Sequence, residues 1–128
     1  MRPIALPLPL MAVLLVLILL AAGCSQASAG YDVSIEQALA DWKNKTVIIL
    51  DVRTPGEYRD GHIPGARLIP LDELPNRLQD VPKEEKVYVI CRSGNRSSQA
   101  VRLLRDKGFG NVYNVTSGMN GWKGPVEK

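Results

Sequence analysis

Apolar positions along the chain switch repeatedly between helical spacing and short continuous runs. Ile35, Ala38, Leu39 and Trp42 recur at helical spacing after Ser34, which forms a capping box with Gln37, and Asn44 and Lys45 close that helix. Thr46 to Val52 is a near-continuous β-branched run. Apolar on both faces, it predicts a strand covered on both sides, as in parallel sheets, and Lys86 to Ile90 reads the same way. Ala66 to Ile69 and Val112 to Val115 are two shorter strands. Thr54 is the N-cap of a brief helix, with Pro55 at its first position, Glu57 at its third and Gly61 at its end. His62-Ile63-Pro64-Gly65 is a turn with Pro64 and Gly65 at its centre. Leu71, Leu74 and Leu78 mark a helical patch interrupted near Pro75. Ser97 to Lys107 is a helix stopped by Gly108, with Ala100, Val101, Leu103 and Leu104 on its apolar side. Gly118 opens a turn, and Met119 to Trp122 form a last helical turn. Strands alternating with helices over roughly 100 residues predict an α/β sandwich with a mainly parallel sheet.

The beginning of the chain follows another rule. Leu10 to Ala22 is an apolar stretch preceded by a single basic residue, Arg2. Its length suits the core of a signal peptide and falls short of the ~20 residues of a membrane span. Ala21-Ala22-Gly23 leads directly into Cys24. That arrangement resembles the lipobox of bacterial lipoproteins, with Ala21 in the place where leucine is usual. The expected division is a signal over 1–23, a tether over 24–31 beginning at a lipidated Cys24, and one domain over 32–128. The resemblance implies an extracytoplasmic protein held to the cell-envelope membrane by its lipid.

Charge adds little. The 128 residues carry 16 basic and 13 acidic side chains, and losing Arg2 leaves 15 against 13. No run of Lys and Arg appears and aromatics are sparse, so nucleic acid is not an expected partner. A single histidine and a single free thiol cannot supply three or four metal ligands, so no metal or other cofactor is expected.

The chemistry concentrates at Cys91. It follows the apolar run Val87-Tyr88-Val89-Ile90 and opens the loop Cys91-Arg92-Ser93-Gly94-Asn95-Arg96-Ser97 before a helix. A thiol at such a junction faces loop N–H groups and the positive end of the helix, which favour the nucleophilic thiolate. In α/β sheets ligands bind beyond the carboxyl ends of strands, where Cys91 stands. With Cys24 lipidated, no resolving cysteine remains and a dithiol redox cycle is excluded.

Three segments resemble one family, the rhodanese-like domain. They are Asp51-Val52-Arg53-Thr54-Pro55-Gly56-Glu57-Tyr58 with Gly61-His62-Ile63-Pro64-Gly65-Ala66, the Cys91 loop, and Gly118-Met119-Asn120-Gly121-Trp122. The resemblance covers Val33 to Lys123; Ser117 departs from it, standing where the family carries a glycine, which is expected to affect a turn and not the chemistry. It implies a three-layer α/β/α sandwich with a five-stranded sheet. It also implies sulfane-sulfur transfer from thiosulfate or a persulfide donor to cyanide or a thiol, with Cys91 as the catalytic residue. Arg92, Ser93, Gly94, Asn95, Arg96 and Ser97 are the expected substrate-binding loop. Either Arg92 or Arg96 is expected to meet the anionic donor, with bracing of the loop as the other role for Arg96. Ser97 is read first as the N-cap of its helix, and otherwise as a donor to the thiolate. Asp51, Arg53 and Glu57 are expected to pin the neighbouring loop by ion pairs, and His62 to serve as a hydrogen-bonding scaffold. Two rival readings are a persulfide carrier or partner-binding module, which needs the same cysteine, and a cysteine-dependent phosphatase. The phosphatases place five residues between Cys and Arg, whereas four separate Cys91 from Arg96.

Overall fold

Two long apolar runs occupy the middle of a single sheet, because only strands covered on both faces can bury every side chain. The structure is a computed structural model and describes residues 29–128; the expected signal, Cys24 and the tether to residue 28 lie outside the described residues. Five strands, β1 (Asp32–Val33), β2 (Ile48–Asp51), β3 (Arg67–Leu68), β4 (Val87–Ile90) and β5 (Val112–Val115), pair in the order β1-β5-β4-β2-β3. Every pair is parallel. Three α-helices flank them: α1 (Ile35–Lys43), α2 (Pro55–Asp60) and α3 (Asn95–Asp106).

Alternation along the strands divides the interior into two cores. Leu50, Val52, Val87, Val89 and Cys91 face Ala100, Val101 and Leu104 of α3. Ile49, Tyr88 and Ile90 face Ala38 of α1, with Trp42 and Tyr58 packed around them. The result is the expected α/β/α sandwich. Each fully buried aliphatic side chain contributes about 1.5–3 kcal/mol.

Local differences from the sequence reading have physical causes. The expected runs at 46–52, 86–90 and 66–69 are trimmed to the residues that find ladder partners. β1 was hidden in the start of the domain; two residues make no pattern, and it is a strand only because it pairs with Asn114 and Val115. The Ser34–Gln37 box is half formed. Ser34 Oγ accepts from the Gln37 N–H at 3.1 Å, while the Gln37 side chain donates to Asp41 instead. The Leu71–Leu78 patch resolves into two 3₁₀ turns, Leu74–Asn76 and Leu78–Asp80. The Thr54 capping box is complete.

The chain end straps the fold. Glu127 bridges His62 in an antiparallel pair, with both backbone N–H groups donating across it at 3.0 and 2.9 Å. The His62 ring stacks on Tyr58 at 3.7 Å, and its Nδ1 lies 2.8 Å from the Tyr58 carbonyl. Trp42 meets Trp122 edge-on at 5.6 Å and donates to the Pro64 carbonyl.

Candidate active site

β4 ends at Ile90, and Cys91 is the next residue, at the carboxyl end of the central strand. The chain then curls around its sulfur before entering α3. Gly94 makes that curl possible. It takes φ +97°, and a Cβ there would collide with the carbonyl of Thr116. Its N–H donates to Cys91 Sγ at 3.1 Å. Gly94 is also the N-cap of α3, which starts at Asn95. The reading of Ser97 as N-cap is therefore corrected: a left-handed Gly94 already occupies the capping place, three residues earlier. Ser97 lies inside the first turn of α3 with its Oγ 3.3 Å from Cys91 Sγ.

The loop's outer carbonyls are held from behind. Met119 N–H donates to the Cys91 carbonyl at 2.8 Å, and Asn120 N–H to the Arg92 carbonyl at 2.9 Å. Both donors lie in the 3₁₀ turn Gly118–Gly121. Gly118, at φ +58°, lets that turn come close; a Cβ would run into the Cys91 and Arg92 peptide. With the carbonyls tied outward, the Gly94 N–H donates to the sulfur, and the N–H groups of Ser93 and Ser97 add to the pull toward its ionised form. Such a nest of amides favours an anion.

Cys91 is 1 % exposed. Burial pushes its thiol up, but the Ser97 hydroxyl and the Ser97, Ser93 and Gly94 N–H groups together outweigh it, and the thiol falls below its ordinary value.

Ion pairs brace both sides. Arg96 donates to both Glu57 carboxylate oxygens, at 2.7 and 2.9 Å. The pair ties α3 to α2 beside the Cys91 loop. Asp51 is 0 % exposed and receives the backbone N–H and the guanidinium of Arg53, whose Nη2 lies at 2.7 Å and also reaches the Gly61 carbonyl. Arg92, Ser93 and Asn95 stand exposed at the rim, and no carboxylate among the described residues pairs with Arg92. A cleft of about 360 Å³, lined by Val52, Arg53, Pro70, Leu71, Asp72 and Arg96 among others, opens beside the brace.

The Glu57 brace makes a pH prediction. The Arg96 hydrogen bonds, largest among several causes, hold the Glu57 carboxyl at about 2, against an ordinary 4.5. Its folded value is depressed, so its contribution is present above pH 4.5 and is lost as pH falls toward 2. The urea midpoint of the native chain should therefore drop across that window more steeply than that of Glu57→Gln. Parallel curves would show that the pair adds nothing.

Three comparisons place this geometry among known proteins. The family model for the rhodanese-like domain matches residues 34–125. The chain belongs to the rhodanese-like family. A protein of Allochromatium vinosum named "Sulfurtransferase" is 40% identical over 89 residues, covering 70% of this chain and 81% of that protein. "Putative sulfur carrier protein YrkF" of Bacillus subtilis is 42% identical over 84 residues, 66% of this chain. The match spans only 45% of that protein's length. The crystal structure of a rhodanese-related protein from Thermoplasma volcanium superposes with a TM-score of 0.71 at 31% identity, covering 76% of this chain and 97% of that one.

Within this rhodanese-like domain, Ser117 marks the departure from the usual glycine. Its backbone sits at φ −94°, where glycine is not required, and its Oγ is buried without a hydrogen-bond partner. Ser117→Ala should therefore stabilise the domain by about 1 kcal/mol, read as a higher urea midpoint. An unchanged or lower midpoint would show the hydroxyl to be satisfied.

Sequence reasoning missed Asn114. It is buried at 6 % exposure, accepts from Ser97 Oγ at 2.6 Å and donates to Asp32 at 3.1 Å. The available signal was an amide inside the apolar run Val112-Tyr113-Asn114-Val115, where a polar side chain must find partners.

Proposed function

We propose that this domain transfers sulfane sulfur through a persulfide on Cys91. The Cys91 thiolate attacks the outer sulfur of thiosulfate. A new S–S bond forms, the S–S bond of thiosulfate breaks, and sulfite leaves with the electron pair. A thiolate or cyanide then attacks the terminal sulfur and returns the electron pair to Cys91. The two half-reactions are redox-neutral overall and imply ping-pong kinetics. The observation that carries this reading is a buried cysteine at the carboxyl end of the central strand whose sulfur receives the Gly94 N–H and lies 3.3 Å from Ser97 Oγ, with its thiol lowered by these groups. The names of the Allochromatium and Bacillus relatives support sulfur transfer as the class of chemistry.

Arg96 is committed to Glu57, so Arg92 is the side chain that meets the sulfonate end of the donor. Arg92→Ala should raise KM for thiosulfate about tenfold, the worth of one charge-assisted contact, with a smaller effect on kcat. An unchanged KM would remove Arg92 from the donor site.

The proposal extends to location: a lipid on Cys24 holds the domain outside the cytoplasm. Intact mass spectrometry of membrane-fraction protein tests both claims. After thiosulfate, Cys91 should gain about 32 Da, the mass of one sulfur, and Cys24 should carry acyl chains. No adduct from thiosulfate or any persulfide donor would overturn the sulfur-transfer reading. A water-soluble, unacylated Cys24 would overturn the anchor. The carrier reading shares the persulfide and is favoured by the name of the Bacillus relative. Fast loading from a protein persulfide with slow turnover on thiosulfate would select it.

A further inference from the structure

Asp32 opens β1 at the edge of the sheet, in register with Asn114 of β5. Asn114 Nδ2 donates to the Asp32 carboxylate at 3.1 Å, and Asn114 Oδ1 accepts from Ser97 Oγ at 2.6 Å. Ser97 is 0 % exposed, and the same oxygen lies 3.3 Å from Cys91 Sγ. Four side chains from β1, β5, α3 and the β4 end thus form one line of hydrogen bonds.

Chemistry sets the direction of that line. An ionised carboxylate only accepts, so Asp32 must face the amide NH₂ of Asn114. That turns the amide oxygen toward Ser97, which has a single hydroxyl proton to give. Once given to Asn114, that proton is not available to sulfur. Toward Cys91 the Ser97 oxygen then presents lone pairs, which an S–H can use; a thiolate gains from Ser97 only when the hydroxyl turns toward it. The line runs from thiol to Ser97 to Asn114 to Asp32. For Ser97 to serve a thiolate its hydroxyl must rotate, leaving the Asn114 oxygen buried without a donor, which is costly.

We propose that Asp32 is a positioning residue for Cys91: by fixing the Asn114 amide it draws the Ser97 proton toward Asn114 and limits the support that the Ser97 hydroxyl gives the thiolate. This rests on Cys91 being the nucleophile proposed above.

The other charges around the sulfur are Arg92, the Arg96–Glu57 pair and the buried Asp51–Arg53 pair. Near Asp32, Arg105 stacks on Tyr31 and Tyr113. None of these residues is substituted in the variants that test the idea. The test is the pH dependence of iodoacetamide alkylation in the full chain, read at the Cys91 peptide by mass spectrometry. Asp32→Ala and Asn114→Leu should each shift the midpoint to lower pH and raise the rate at pH 6 about three- to tenfold, since one unit of midpoint is tenfold in thiolate. The double variant should go no further than either single one. In a Ser97→Ala background, Asp32→Ala should move nothing. An unmoved midpoint in Asp32→Ala overturns the proposal. So does a shift that persists in the Asn114→Leu or Ser97→Ala background, because Asp32 would then act through space. If Asn114→Leu does not fold, the Ser97→Ala background alone decides. No sulfur donor enters the measurement, so its failure and the absence of a persulfide are separate results.

Discussion

Cys91→Ser should abolish thiosulfate-dependent sulfur transfer, lowering turnover by at least ~10³-fold, as removal of a covalent nucleophile does. The serine hydroxyl ionises far above neutrality, and its oxygen makes no persulfide. The fold should survive. The replacement is nearly isosteric, and its hydroxyl would inherit the Gly94 N–H and Ser97 Oγ that now surround the sulfur. Thermal unfolding of the variant should therefore stay close to the native curve while sulfur transfer to cyanide disappears. A Cys91→Ser protein that still turns over, or still gains a sulfur mass in the loop, removes the proposed chemistry.

The second large effect is on stability. Asp51→Ala deletes the carboxylate that receives the Arg53 backbone N–H and guanidinium at 2.7–3.0 Å. Arg53 is 6 % exposed, so its charge would remain buried with only the Gly61 carbonyl as partner. Breaking a buried pair from one side costs about 3–5 kcal/mol. For a domain of this size each kcal/mol moves Tm by about 4–8 °C, so a fall of more than ~12 °C is expected. Removing both charges, as Asp51→Ala with Arg53→Leu, should recover much of that loss, because no uncompensated guanidinium remains. A cost below ~1 kcal/mol for Asp51→Ala would mean that the pair is solvated and does not hold the segment beside Cys91.

The elements that build the site were legible because each carries its own local signal. A β-branched run ending in cysteine, then a loop with one glycine, announces a strand, a turn and a helix start within a dozen residues. Thr54-Pro55-Gly56-Glu57 encodes a complete capping box in four residues, and the structure forms it. What stayed hidden depends on contacts distant in sequence. The start of α3 was misplaced because Ser97 is a good capping residue in isolation. Only the close approach of Gly94 to the Thr116 backbone shows why a glycine takes that place. The partner of Arg96, Glu57, lies 39 residues away, and no local pattern pairs the two. Asn114 and Asp32 meet only because β1 and β5 are neighbours, 82 residues apart in the chain.

The pairing of Glu127 with His62 bears on how this protein can be handled. That bridge backs the segment that carries Tyr58, one residue from the Glu57 that braces Arg96. An affinity tag fused directly after Lys128 would adjoin that bridge. A bulky fusion there would load the bridge, and with it the segment whose Glu57 holds Arg96. A cleavable tag behind a flexible spacer would leave that anchorage as it is in the native chain.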